Sequence, residues 1–376
     1  ETSNRSDKAR AVQRALRFFA RPSVARGVPS RAVLLRPLVE APHAVVTEMG
    51  ALVSALAFPA PALPKRFYKE RLLRRGDLVF LRTTHDERIP ACYVKSPVRQ
   101  GLPGCGLTIL YSHGNAEDLA LHLPFVEALA KLTGADVLTY EYVGYSLSRF
   151  ESPRGVPSEE ACYRSIDAAW RYLTHTQKVP ATRIVVYGRS LGSGPSVDLV
   201  ARHHVAGSPA SPRAARAVFL QSPLESAIRS ALGDVAASAM YSIDIFRNYE
   251  KIAKVAAPCA IVHGIDDKVV PCAGAKALHA AVPRPFEPRW LDDCGHNDMP
   301  CAEVFAYLRD FLAASASSNI ATVAVAAPGP NVAAAAAAKV SKSSINGNAA
   351  ATPASSSLGG EAPASEECVQ GAPLPN

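Results

Sequence analysis

Five short apolar runs recur through the middle of the chain: Leu107–Tyr111, Asp136–Tyr142, Arg183–Tyr187, Ala215–Gln221 and Cys259–His263. Between them lie stretches of helical length and pattern, Ala116–Leu132, Ser158–His175, Pro195–His204 and Ala273–Ala281. This alternation is the strongest constraint on the fold. Runs that are apolar throughout, rather than at every second residue, need cover on both faces, and helices in crossover connections supply it. An α/β fold with a mostly parallel central sheet and helices on both faces is expected. A hairpin precedes it, Leu78–Thr83 and Pro90–Lys95 around the polar Thr84–Arg88. A last run, Phe286–Leu291, and a closing helix, Cys301–Ala313, follow it. In such a sheet the right-handed crossovers gather reactive loops at the strands' carboxyl ends.

Four of those ends carry chemistry. Arg183–Tyr187 runs into Gly188-Arg189-Ser190-Leu191-Gly192, a serine between glycines on a strand-to-helix turn, the layout of a nucleophile elbow. A tight glycine turn would explain that segment alone. Leu107–Tyr111 ends in Ser112-His113-Gly114-Asn115. That is where α/β hydrolases place one oxyanion donor, so the backbone N–H groups of Asn115 and Leu191 are the candidate oxyanion hole. The bland alternative is a helix start capped by Asn115. Cys259–His263 ends in Gly264-Ile265-Asp266-Asp267-Lys268-Val269-Val270. Either aspartate could orient an imidazole; the spacing His-Gly-x-x-Asp-x-x-Val selects Asp267, and Asp266 is expected to cap the following helix. Of ten histidines, His296 alone follows the last strand on a glycine-containing loop. His113 and His263 are expected to hydrogen-bond locally, and His122, His175 and His279 to pack on helices. The order Ser190, Asp267, His296 is that of the α/β-hydrolase fold, and it makes these the candidate nucleophile, acid and base.

Charge and composition set the remaining limits. The net charge of +8 suggests an anionic partner, but residues 1–36 hold nine basic side chains against Glu1 and Asp7, nine minus two or +7. The remainder is near neutral, which argues against a nucleic-acid-binding fold. Arg10, Arg14, Arg17 and Arg21 share one face of a helical period over Lys8–Arg21. That pattern suits an anionic membrane surface or a mitochondrial-type presequence. Eight cysteines lack Cys-x-x-Cys pairing. They are expected to be reduced thiols of an intracellular protein, cytoplasmic or peripheral to a membrane. Cys294, His296 and Cys301 invite a metal reading, but no second ligand pair follows, so neither metal nor cofactor is expected. No run of 18 or more apolar residues is present. The expected organisation is a basic arm (1–39), a Pro/Ala-rich lead-in (40–76), the α/β domain (77–314) and a disordered Ala/Ser/Pro-rich tail (315–376).

Tyr111–Ala116, Tyr140–Tyr145, Pro157–Glu159, Asp167–Trp170, Ser196–Leu199 and Glu287–Asp298 together resemble the α/β-hydrolase-domain family 17 protein depalmitoylases, grouped with serine aminopeptidase-like hydrolases. The resemblance runs from about 75 to 313. It implies the α/β-hydrolase fold with a minimal cap, since Pro223–Ala257 is short for a large lid. It also implies a membrane-associated serine hydrolase of acyl thioesters, its substrate an S-acylated protein or another acyl ester. General carboxylesterase, lipase-like or aminopeptidase-like activity with the same residues is the alternative, and a non-catalytic binding protein a more distant one. Three departures stand out: no cysteine precedes Cys92, Arg189 stands where a glutamine is usual, and Ser146 where a glycine is usual.

Overall fold

A computed structural model describes residues 58–61, 63–202, 211 and 214–316. The basic arm with its expected membrane or presequence helix, most of the lead-in, and the tail after 316 lie outside the described residues.

Eight strands form one sheet: β1 (Leu78–Arg82), β2 (Arg88–Val94), β3 (Thr108–Ser112), β4 (Asp136–Tyr140), β5 (Ile184–Arg189), β6 (Ala217–Gln221), β7 (Cys259–Gly264) and β8 (Arg289–Leu291). Their order is β1-β2-β4-β3-β5-β6-β7-β8. The hairpin partners β1 and β2 are antiparallel, as are β2 and β4, and every other pairing is parallel. The two faces divide the apolar runs residue by residue. Leu110, Leu138, Val186, Leu220 and Ile261 face one way, packing with Ile166 and Trp170 of α4 (Glu159–Arg171) and Val197 and Val200 of α5 (Ser193–Ala201). Ile109, Tyr111, Val137, Tyr187 and Phe219 face the other way, onto Leu123 and Val126 of α2 (Leu119–Thr133) and Phe305 and Phe311 of α9 (Cys301–Ala316). Complete burial of both faces is why these strands lack polar alternation.

Element ends follow local chemistry. The Asp118 carboxylate accepts the Ala120 N–H at the start of α2, satisfying a donor the helix cannot pair internally. Gly134 ends that helix in the left-handed region, at a φ of 81°, where the missing Cβ removes the penalty. The helix therefore begins three residues later than its apolar pattern suggests, with Asp118 rather than Asn115 as its cap. Ser158 caps α4. β8 is half its expected length: Pro285 and Pro288 offer no N–H to a ladder, which confines pairing to Arg289–Leu291. Residues before the hairpin join the core as well. Within α1 (Lys65–Arg71), Tyr68 is buried and donates its hydroxyl to Asp118, at 2.7 Å, and Phe58 meets Phe246 edge to face at 5.9 Å. The segment after β6 holds α6 (Ala227–Ala239), kinked at Gly233, and the single turn α7 (Asn248–Lys251). Helices α3 (Ser148–Glu151) and α8 (Cys272–Ala281) complete the described set. No described helix is long and apolar enough to cross a membrane.

Candidate active site

The turn after β5 is as sharp as its glycines imply. Ser190 adopts a left-handed conformation, with a φ of 51°. Such a conformation costs a non-glycine residue about 1–3 kcal/mol and persists only where its surroundings enforce it. Both flanking glycines are enforced by contact. A Cβ on Gly188 would lie 2.6 Å from the Gly192 carbonyl oxygen, and one on Gly192 would lie 2.1 Å from the Ser112 carbonyl oxygen and 2.7 Å from that of His113. The second contact presses the end of β3 against the serine turn. A single 3₁₀ turn, Ser190–Gly192, then leads into α5.

His296 Nε2 stands 2.9 Å from Ser190 Oγ, and His296 Nδ1 stands 2.6 Å from Asp267 Oδ2. Asp267 is buried while Asp266 is exposed, so only the former is available to the ring. Asp266 caps no helix: α8 begins at Cys272, with Pro271 in the cap position. The second Asp267 oxygen accepts the Val269 and Val270 N–H groups, each at 2.8 Å. His263, fully buried, brings Nε2 to 3.1 Å from Asp267 Oδ2 and 2.9 Å from the Val270 carbonyl. Both neighbours accept, so that nitrogen carries the proton. Burial alone would raise the Asp267 carboxyl. Hydrogen bonds from His263, His296 and the Val270 N–H outweigh it and hold the group well below the usual carboxylate range. The two loops are locked by backbone: Asp266 donates its N–H to the Cys294 carbonyl at 2.9 Å, and a Cβ on Gly264 would lie 2.3 Å from that same oxygen.

The opposite wall is the loop from β3 to α2. Asn115 sits there, its side-chain oxygen accepting the Ala116 N–H at 3.0 Å and the Tyr145 hydroxyl at 3.3 Å. Beneath it His113, fully buried, places Nε2 2.8 Å from Glu141 and Nδ1 2.9 Å from the Gly114 carbonyl. Glu141 also accepts the Leu119 N–H at 2.9 Å, and Tyr142 donates its hydroxyl to the His113 carbonyl at 2.7 Å. His263 hydrogen-bonds locally, as expected, to Asp267 and Val270; sequence reading missed Glu141, which acts on His113 in another segment, and only its buried polar character at the end of an apolar run hinted at it.

Among the described residues, His113, Glu117 and His122 bring one donor atom each within 4.8 Å of one another. Both His113 nitrogens are already engaged, with the Gly114 carbonyl and Glu141. Cys294, His296 and Cys301 form no such group among the described residues.

A search of protein-family models finds no match. Curated proteins do match. The chain is 34% identical over 246 residues to alpha/beta hydrolase domain-containing protein 17C of Mus musculus, covering 65% of this chain and 70% of that one. It is 36% identical over 218 residues to protein 17B of Xenopus laevis, covering 58% and 68%. An esterase of Pyrococcus furiosus superposes with a TM-score of 0.48 at 14% identity, over 68% of this chain and 94% of that one. On the strength of the two sequence relationships, the chain is an α/β hydrolase that belongs to the alpha/beta hydrolase domain-containing protein 17 family.

Proposed function

We propose that this protein is a serine hydrolase that cleaves acyl thioesters through an acyl-serine intermediate, acting on S-acylated proteins. One observation carries the reading: the unbroken hydrogen-bonded series Ser190–His296–Asp267, with a carboxylate that stays ionised at one end and a hydroxyl at the other. Ser190 Oγ attacks the acyl carbon while His296 Nε2 takes its proton, and Asp267 holds the ring's tautomer and stabilises the imidazolium. The oxygen of the tetrahedral intermediate is bound by the N–H groups of Asn115 and Leu191, each such donor contributing about 2.7–4 kcal/mol. Collapse expels the thiolate, which takes the proton from His296. Water, deprotonated by the same nitrogen, then attacks the acyl-serine and frees the acid. A thioester suits this apparatus because a thiol of pKa about 8.5 leaves with little help from an acid, whereas an amine needs much.

A panel of acyl thioesters and matched oxygen esters of graded chain length, run on wild type and Ser190→Ala beside fluorophosphonate labelling, tests the proposal. Thioester turnover and labelling in wild type alone is the expected result, with the turnover number of Ser190→Ala lower by about 10⁶-fold. Turnover of short esters with none of S-acylated peptides would sink the thioesterase assignment, and labelling of neither protein would sink the serine mechanism.

A further inference from the structure

We infer that Arg189 is a positioning residue, a clamp between the two walls of the site; the inference rests on Ser190 being the nucleophile. Arg189 immediately precedes Ser190, and its guanidinium reaches both ways. Nη1 is ion-paired with Glu117, two residues beyond Asn115, and Nη2 donates to Asn297 Oδ1, next to His296, at 3.1 Å. A single side chain anchored to the serine's own backbone thereby holds the oxyanion loop and the histidine loop in register. The ion pair lies directly on the loop: a Cβ on Gly114 would meet Glu117 Oε1 at 2.8 Å and Arg189 Nη1 at 3.5 Å.

The pairing has an electrostatic side. The Arg189 and Glu117 side chains are only 20% and 18% exposed. Solvent and salt therefore screen them weakly. The second Glu117 oxygen is buried with no hydrogen-bond partner, which leaves the guanidinium as the group that offsets this carboxylate. Without it, a partly buried negative charge would stand two residues from the N–H that receives the developing oxyanion. A planar fork serves two partners at fixed angles; a lysine ammonium is a point charge, and a glutamine carries none.

The test is a cycle of Arg189→Gln, Glu117→Gln and the double variant, with Arg189→Lys beside it, each assayed for kcat and KM on a thioester and for the rate of fluorophosphonate labelling. Arg189→Gln should lower kcat and the labelling rate by about 10- to 100-fold, the cost of a small misplacement of reacting groups, and move KM much less. Adding Glu117→Gln should cost nothing further, because the partners act as a unit. Arg189→Lys should recover only part of the loss. The clamp is overturned if Arg189→Gln stays within about twofold of wild type, if the two losses multiply, if the loss lies wholly in KM, or if Arg189→Lys is fully active. Should Arg189→Gln fail to fold, as judged by its melting curve, Glu117→Gln carries the kcat test by itself. Wild-type protein that neither turns over thioester nor labels would instead overturn the proposed function.

Discussion

His296 and His113 each lay one ring nitrogen against a carboxylate oxygen, at 2.6 Å from Asp267 and 2.8 Å from Glu141. Their other nitrogens differ in company: His296 faces the Ser190 hydroxyl and His113 the Gly114 carbonyl, both at 2.9 Å. A hydroxyl can give up a proton, whereas a carbonyl only accepts one. His296 can therefore hold a lone pair toward Ser190, while His113 spends both nitrogens on fixed partners, the Gly114 carbonyl and a Glu141 carboxyl as deeply buried as itself. At the neighbouring His122, burial first, and then the nearby His113 ring, push the pKa well below the ordinary imidazole value, both acting against the charged form of that ring. The same two side chains thus suit the proton carrier of the proposed mechanism in one wall and a fixed strut in the other, and the third atom decides which.

Breaking the first pair should have the largest effect, and on turnover. Asp267→Asn keeps the shape but favours the wrong ring tautomer, and kcat is expected to fall by about 10⁴-fold, measured on the folded variant with the thioester used above. Because the Asp267 carboxyl lies well below the usual range, it stays ionised as pH falls. The acid limb of wild-type turnover should then show one protonation rather than two; a second step would show that Asp267 titrates there. Breaking the other pair should act on stability instead. Glu141→Gln turns one of two buried acceptor oxygens into a donor, facing either His113 or the Leu119 N–H, at a cost of about 1–3 kcal/mol in unfolding free energy. Denaturant titration checks this, and a loss of kcat at unchanged stability would refute the strut.

The smallest effect sharpens the comparison at its edge. Burial and the nearby Glu141 charge push the Asp118 carboxyl up to about 7, against hydrogen bonds from Tyr68 and the Ala120 N–H. An acid whose folded pKa exceeds its unfolded value, about 3.9, binds more protons when folded. Its contribution is full below about pH 4 and is lost as pH rises through about 7. Melting temperatures should fall between about pH 4 and about pH 7, and Asp118→Asn should flatten that slope.

The contrast also explains what could be read from residues alone. The sheet showed because unbroken apolar runs are local, and Ser190 showed because two glycines within two residues of it leave a local mark. Asp267 and His296 were reachable because each follows a strand end, although the choice of Asp267 over Asp266 became physical only through its burial. The Glu141–His113 strut spans 28 residues and the Arg189–Asn297 bond 108, and neither spacing leaves a periodic trace. Prolines hid the true length of β8, and the cap at Asp118 lay inside a run whose apolar pattern began earlier. Long-range polar pairs were the part out of reach, and they are what aligns the two walls.

Ser190 and His296 are 106 residues apart in the chain. During synthesis, at about 5–20 residues per second, the serine emerges roughly 5–20 s before the residue proposed to activate it. Throughout that interval a nascent chain would carry an inert hydroxyl, and hydrolysis could begin only when the last loop settles onto the first. Onset of activity would then mark the completion of folding, a built-in clock that a stalled or truncated chain could not start.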